Sequence, residues 1–260
     1  MFSRCPSLLM IGALALSAGK ERVLRVCADP NNLPFSNDRG EGFENRLAEM
    51  IAAELSAKLE YTWLSERKWF IRNFLNEGRC DAVMGIPTAL DSVTATKPYY
   101  RSSYVFVSRR DQHFEITSLD DPRLANWRIG IHVVGDDYAP PASALARRGI
   151  TSNIVGFSLF GSYGEPNPPA KIMDAVVDGR IHIAIVWGPL AGYFAKGSKI
   201  SLDVVPVLPA MFLAVPFTYD ISIGVRKGNY ALRDELNDAL ERKSAPIQQV
   251  LSDYGVPQVP

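Results

Sequence analysis

The chain has no surplus of either charge: across 260 residues, 28 Lys and Arg stand against 28 Asp and Glu. Without a basic excess there is no field to draw nucleic acid or an anionic membrane. The adjacent basic residues Arg67-Lys68 and Arg147-Arg148 are pairs that solvated helix faces explain. Histidine is scarce, and His113, His132 and His182 lie far apart. There is no Gly-x-Ser-x-Gly, no His-Glu-x-x-His, no Gly-rich phosphate loop and no Cys-x-x-Cys. No acid–base pair assembles, so no catalysis, metal or cofactor is expected. His182 reads as a structural histidine at the start of a buried strand. His132 ends a strand, where a binding role and a structural one both stand.

The apolar run Leu8 to Leu16 is too short to cross a bilayer. Arg4 precedes it and the small residues Ser17, Ala18 and Gly19 follow, which is the layout of a secretory signal peptide. The alternative is an apolar N-terminal strand. Residues 1–19 are expected to be removed on export, and no lipoprotein-type Cys follows, Cys5 lying too early. Cys27 and Cys80 then remain as the only thiols. An exported protein favours bridging them. Against this, Cys27 sits mid-strand and Cys80 opens a parallel neighbour, which in register would leave the sulfurs apart along the sheet. A disulfide and two buried, inert thiols both stay open.

What the chain does contain, it says nearly twice. Phe74-Leu-Asn-Glu-Gly-Arg-Cys-Asp-Ala-Val-Met-Gly-Ile-Pro87 is echoed by Val176-Val-Asp-Gly-Arg-Ile-His-Ile-Ala-Ile-Val-Trp-Gly-Pro189. Each copy reads as a helix end, a Gly at its C′ position, a buried strand, then a loop opened by Gly and Pro. Each follows another apolar strand, Val23 to Ala28 in the first case and Trp127 to His132 in the second. Strand, helix, strand, repeated, predicts two α/β lobes on parallel sheets. Ligands of such folds bind at the carboxyl ends of the strands, here a cleft between lobes.

Asp29-Pro-Asn-Asn-Leu-Pro34 reads as loop. Phe43, Leu47, Met50, Ile51 and Leu55 recur at helical spacing over about 42–58. A strand follows at 59–64, a short helix at 70–76 closed by Gly78, and a strand at 81–86. Pro98 to Val107 is extended and makes a first crossing between lobes. In the second lobe, helices are expected at 142–147 and 171–177 and strands at 127–132 and 181–187. The strand 221–226 returns, helices around Leu232–Leu240 and 247–254 follow, and Gly255 with Pro257 ends the last one. The expected organisation is a signal peptide at 1–19, lobe 1 at 20–108, lobe 2 at 109–216 and a return to lobe 1 at 217–260. Two parallel strands form the hinge, which bends rather than flops.

The order of Leu24-Arg-Val-Cys-Ala-Asp29, Pro34-Phe35, Gly42-Phe43, Gly78-Arg-Cys-Asp81, Lys97-Pro-Tyr-Tyr100, Gly179-Arg-Ile-His182 and Val225-Arg-Lys-Gly228 resembles the type II periplasmic solute-binding proteins, family 3. The resemblance runs from residue 23 to the end. It implies an α/β, two-lobed periplasmic binding protein fold, each lobe a mainly parallel sheet flanked by helices, with a two-strand hinge. Gly135-Asp-Asp-Tyr138, Pro140 to Gly149, Trp187 to Ala195, Asp220 to Lys227 and Tyr254-Gly-Val-Pro257 resemble a narrower subgroup. Its members are associated with PQQ-dependent methanol and other alcohol dehydrogenases.

Amino-acid receptors of this fold clamp the ligand carboxylate with an Arg shortly before their Pro-Tyr segment and the amino group with an Asp after the second Gly-Arg strand. Thr88 to Thr96 contains no Arg, and Trp187-Gly188-Pro189 offers no carboxylate. Two charge-assisted contacts of roughly 1.5–3 kcal/mol each are therefore missing. Asp136 and Asp137 precede a helix with Pro140-Pro141 at its start, where they would cap it and oppose an anion. The candidate cleft residues from the first lobe and crossing are Asp29, Phe35, Trp69, Pro87, Tyr99 and Arg101. Those from the second are His132, Asp136, Asp137, Tyr138 and Trp187. Tyr100, Tyr163 and Tyr193 complete an aromatic, largely neutral set suited to a neutral ring or a protein surface. Arg101 is either a counter-charge or a partner across the hinge.

Two functions follow. The resemblance to the subgroup implies a monomeric, non-enzymatic periplasmic partner that assists assembly or activation of a PQQ-dependent alcohol dehydrogenase. The alternative is a receptor handing a small, non-amino-acid solute to the membrane subunits of an ABC transporter. The turn-rich Gly161 to Pro169 is a candidate docking loop.

Overall fold

The computed structural model describes residues 21–65, 70–134, 137–160, 165 and 167–259, with only the backbone of Asp137. The expected signal segment lies outside them. Among the described residues no helix is long and apolar enough to cross a membrane.

In the first lobe, β1 (Val23–Ala28) leads into a small hairpin, β2 (Asn31–Asn32) and β3 (Ser36–Asn37), and then into α1 (Phe43–Glu54). β4 (Lys58–Trp63), a π-helical turn over Phe70–Leu75, β5 (Ala82–Pro87) and β6 (Val93–Ala95) follow. β7 (Tyr100–Arg109) crosses into the second lobe. There the order is β8 (Ile129–Val134), β9 (Asp137–Tyr138), α2 (Pro141–Ala146), β10 (Ile154–Ser158), α3 (Lys171–Val177), β11 (Ile183–Trp187) and α4 (Gly188–Lys196). β12 (Leu202–Pro206) and the hairpin β13 (Met211–Phe212) with β14 (Val215–Pro216) complete it. β15 (Thr218–Arg226) returns, and α5 (Tyr230–Arg242) and α6 (Ser244–Asp253) close the first lobe.

The sheet path is β10-β8-β11-β7-β15-β5-β1-β4. The repeat seen in the sequence is a repeat of topology. β1 lies parallel between β5 and β4, and β8 lies parallel between β11 and β10. Gly78 and Gly179 precede the equivalent strands β5 and β11 at φ +72 and +70, a conformation that costs glycine little. α1 buries Phe43, Leu47 and Ile51 along one stripe, against Leu236 of α5 and Leu251 of α6. The second lobe packs Ile129, Ile131 and Ile185 on one face of its sheet and Val107, Ala184 and Val186 on the other.

Three expectations need correction. The hinge strands pair antiparallel, Thr218 opposite Ser103 and Ile221 opposite Tyr100, because one leaves the first lobe and the other returns to it. Asp29 to Pro34 is not plain loop. Asn31 pairs with Asn37 and Asn32 with Ser36, and the first N–H groups of α1 cap the connection, from Phe43 to the Pro34 carbonyl and from Glu44 to that of Phe35. Gly188-Pro189 does not open a loop but starts α4, since proline fits a first helical turn, where its missing N–H has no partner to lose.

Cys27 and Cys80 are bonded, with Cα atoms 5.6 Å apart. Register along the sheet does not bring them together, for Cys27 faces Val83. Both side chains sit in one buried cluster with Phe70 and Leu75, so Cys80 meets Cys27 over the face of the sheet. Asp81 holds the approach in place by accepting from Arg25 Nε at 3.0 Å and Nη2 at 2.6 Å.

Candidate ligand cleft

The carboxyl ends of β1, β5, β8 and β11 converge on one cavity of about 310 Å³. The first lobe supplies Asn32, Phe35, Gly85 and Pro87 to it, and the second supplies His132, Val134, Pro140, Leu159, Trp187 and Leu190. The hinge contributes Tyr100 and Tyr104 from β7, and Tyr219 and Ile221 from β15. None of these described residues carries a formal charge at neutral pH. Tyr104, Trp187 and Tyr219 meet edge to face, with centroids 5.5 to 6.5 Å apart, which fixes three rings in one corner. Burial raises the Tyr104 and Tyr219 hydroxyl pKa values, so both remain protonated donors at neutral pH.

The lobes touch across the mouth, where Asn31 Nδ2 donates to the Glu165 carbonyl. Among the described residues, no group of three His, Cys, Asp or Glu is placed to hold a metal.

His132 is 4% exposed, and burial lowers its pKa to about 4, the Pro169 backbone opposing the shift. The imidazole is therefore neutral in the folded protein at pH 7. Its folded pKa lies below the unfolded value of about 6.5, so the unfolded chain takes up the proton first. Stability is fully present above about pH 6.5 and is lost as pH falls toward 4, by about 3 kcal/mol from this group. Urea unfolding between pH 7 and 4 is expected to show that loss, and His132→Phe to remove it. An unchanged slope in the variant would show that the histidine is not buried neutral.

Of the candidate residues, Phe35, Pro87, His132 and Trp187 come together in the cavity wall. Trp69 and Asp136 lie outside the described residues, as does Tyr163, and of Asp137 only its pairing opposite Val134 is described. Five others are placed elsewhere. Asp29 is buried at the root of the hairpin, where its Oδ1 accepts from Asn31 N at 2.8 Å. Tyr99 is buried beneath the first lobe, its hydroxyl accepting from Gly85 N at 3.0 Å. Arg101 stands opposite Asp220 on the hinge, 3.9 Å away and half-exposed, a pairing worth little. Tyr138 is 54% exposed and covers Gly156 rather than the cleft. Tyr193 stacks on Tyr254 behind the hinge, with centroids 5.7 Å apart.

Sequence reading missed Asn32, Tyr104 and Tyr219. The two tyrosines had a signal in the period of two, which puts Tyr100 with Tyr104 and Tyr219 with Ile221 on one face of each crossing strand.

Two α/β lobes joined by two crossing strands, with a cavity at their strand ends, define a solute-binding protein. The chain belongs to the bacterial extracellular solute-binding proteins, family 3, whose model matches residues 24–251. Within that family it is similar to Protein MoxJ of Methylorubrum extorquens, at 30% identity over 250 residues covering 91% of this chain and 82% of that one. Among solved structures it is similar to MxaJ from Methlophaga aminisulfidivorans MPT, with TM-score 0.80 and 27% identity over 91% of this chain and 100% of the other. It is also similar to the periplasmic binding protein XoxJ from Methylobacterium extorquens AM1, with TM-score 0.75 and 36% identity over 92% and 100%.

Proposed function

We propose that this protein is a periplasmic, non-enzymatic partner of a PQQ-dependent methanol or other alcohol dehydrogenase, assisting its assembly or activation. The observation that carries the reading is the cleft. Its wall lacks, among the described residues, any cation or carboxylate of the kind that grips an amino acid, so the scaffold has kept its lobes without the usual clamps. Likeness to MoxJ, MxaJ and XoxJ supports the narrower assignment, because the subgroup the sequence resembles is the one associated with quinoprotein dehydrogenases.

The test is deletion of the gene in its own host, followed by assay of PQQ-dependent alcohol oxidation in periplasmic extract. Activity is expected to fall at least about tenfold while dehydrogenase polypeptide remains present, and to return on complementation. Unchanged activity per dehydrogenase molecule, with a growth defect cured by supplying a solute, would make the chain a transport receptor instead.

A further inference from the structure

The cavity is apolar but carries two unanswered polar groups, one from each lobe. Asn32, 2% exposed, has its Oδ1 buried without a hydrogen-bond partner. His132, on the opposite lobe, has its Nε2 in the same state. A buried polar atom left unpaired costs about 1–3 kcal/mol, and native proteins leave few of them. Among the described residues Asn45 Nδ2 and Ser103 Oγ are also buried without a partner, but only Asn32 and His132 line the cavity, where a guest can supply one.

The rest of the wall narrows what that is. Phe35, Tyr104, Trp187 and Tyr219 present ring faces and edges, which suits a flat, ring-bearing guest. A full charge would have no counter-charge among the described lining residues, and stripping its water would go uncompensated. The volume of about 310 Å³ lies at the low end for ligand pockets, roughly 300–1,000 Å³, which favours one ring over several.

We infer that the cleft binds an uncharged, single-ring small molecule bearing a hydrogen-bonding group at each end, one group meeting Asn32 and the other His132. Such a molecule bridges the lobes and adds to the Asn31–Glu165 contact at the mouth. The inference is independent of the partner reading, since a filled cleft is compatible with a docked dehydrogenase or with none.

The test is calorimetric titration of the purified mature chain with 4-hydroxybenzyl alcohol, alongside benzoate, benzylamine and L-histidine. The neutral alcohol is expected to bind saturably and to raise the unfolding temperature, with the charged compounds at least about tenfold weaker. Asn32→Leu keeps the branched four-atom side-chain shape and removes the orphan amide, so it should weaken the alcohol at least tenfold in a protein that still folds. His132→Phe should weaken it similarly. No saturable binding of the alcohol would overturn the inference, as would tighter binding of benzoate or benzylamine. So would Asn32→Leu and His132→Phe proteins that fold and bind the alcohol like the parent.

Discussion

Replacing Cys27 and Cys80 together by alanine is expected to lower stability by about 4 kcal/mol and the unfolding temperature by about 10 °C. The bond closes a loop of 53 residues, and for a loop of that length the chain-entropy model gives roughly 4 kcal/mol, more than a typical single substitution. Each kcal/mol moves the midpoint by about 2–4 °C in a chain of this size. The site should feel the loss, because the bond ties β1 to the approach of β5, and Asn32 lies just beyond β1 while Pro87 ends β5. Urea unfolding of the double variant and of the reduced parent should agree. A change below about 1 kcal/mol would show that the Arg25–Asp81 contacts and the cluster around Phe70 and Leu75 hold this junction unaided.

Gly192→Ala is expected to be among the most damaging single-methyl substitutions at the described glycines. α4 of the second lobe lies directly on the turn that follows α6 of the first. A Cβ at residue 192 would stand 1.8 Å from the Gly255 carbonyl oxygen and 2.9 Å from its carbon. The obstacle is backbone, so no side chain can swing aside. Lys196 Nζ donating to the Asp253 carbonyl at 2.8 Å and the Tyr193–Tyr254 stack hold the same contact. Overpacking of this kind costs about 3 kcal/mol. It should also pivot the lobes, which small-angle scattering would read as a larger radius of gyration. Gly197→Ala is the control, since its nearest obstacle is 4.0 Å away and its expected change is below about 0.5 kcal/mol. Equal behaviour of the two variants would mean that the rear contact does not set the lobe arrangement.

The fold was readable where its signals were local. β1 and α3 have the bounds the apolar pattern predicts, and the paired Gly-Arg segments mark the same topological point in each lobe. α4 escaped because Gly188-Pro189 carries the same letters as a loop, and only the packing of Leu190 and Ala191 into the core makes it a helix start. At the strand ends, Phe35, Pro87, His132 and Trp187, expected from order alone, line one cavity. Asn32 was hidden in a stretch that looked like featureless Asn-Pro loop, and Tyr219 depends on which residue of β15 lies beside β7. Arg101 pairs across the hinge, one of its two expected roles, and its register partner Asp220 is one that no local pattern reveals. Local periodicity gives the face of a strand, whereas the neighbour on that face is set by long-range register.

The absence of charged clamps, visible as letters missing from Thr88 to Thr96 and from Trp187 to Pro189, carried the functional reading most directly. The structure gives it a physical form, an aromatic cavity whose polar groups are Asn32, His132 and the tyrosine hydroxyls.

The most direct test of the partner role is native mass spectrometry of the chain purified gently from the periplasm of its own host during growth on alcohol. The prediction is a complex with a quinoprotein dehydrogenase subunit, present whether or not a small neutral molecule also remains in the cleft. A chain that never carries that subunit, and appears instead with a transported solute alone, would contradict it.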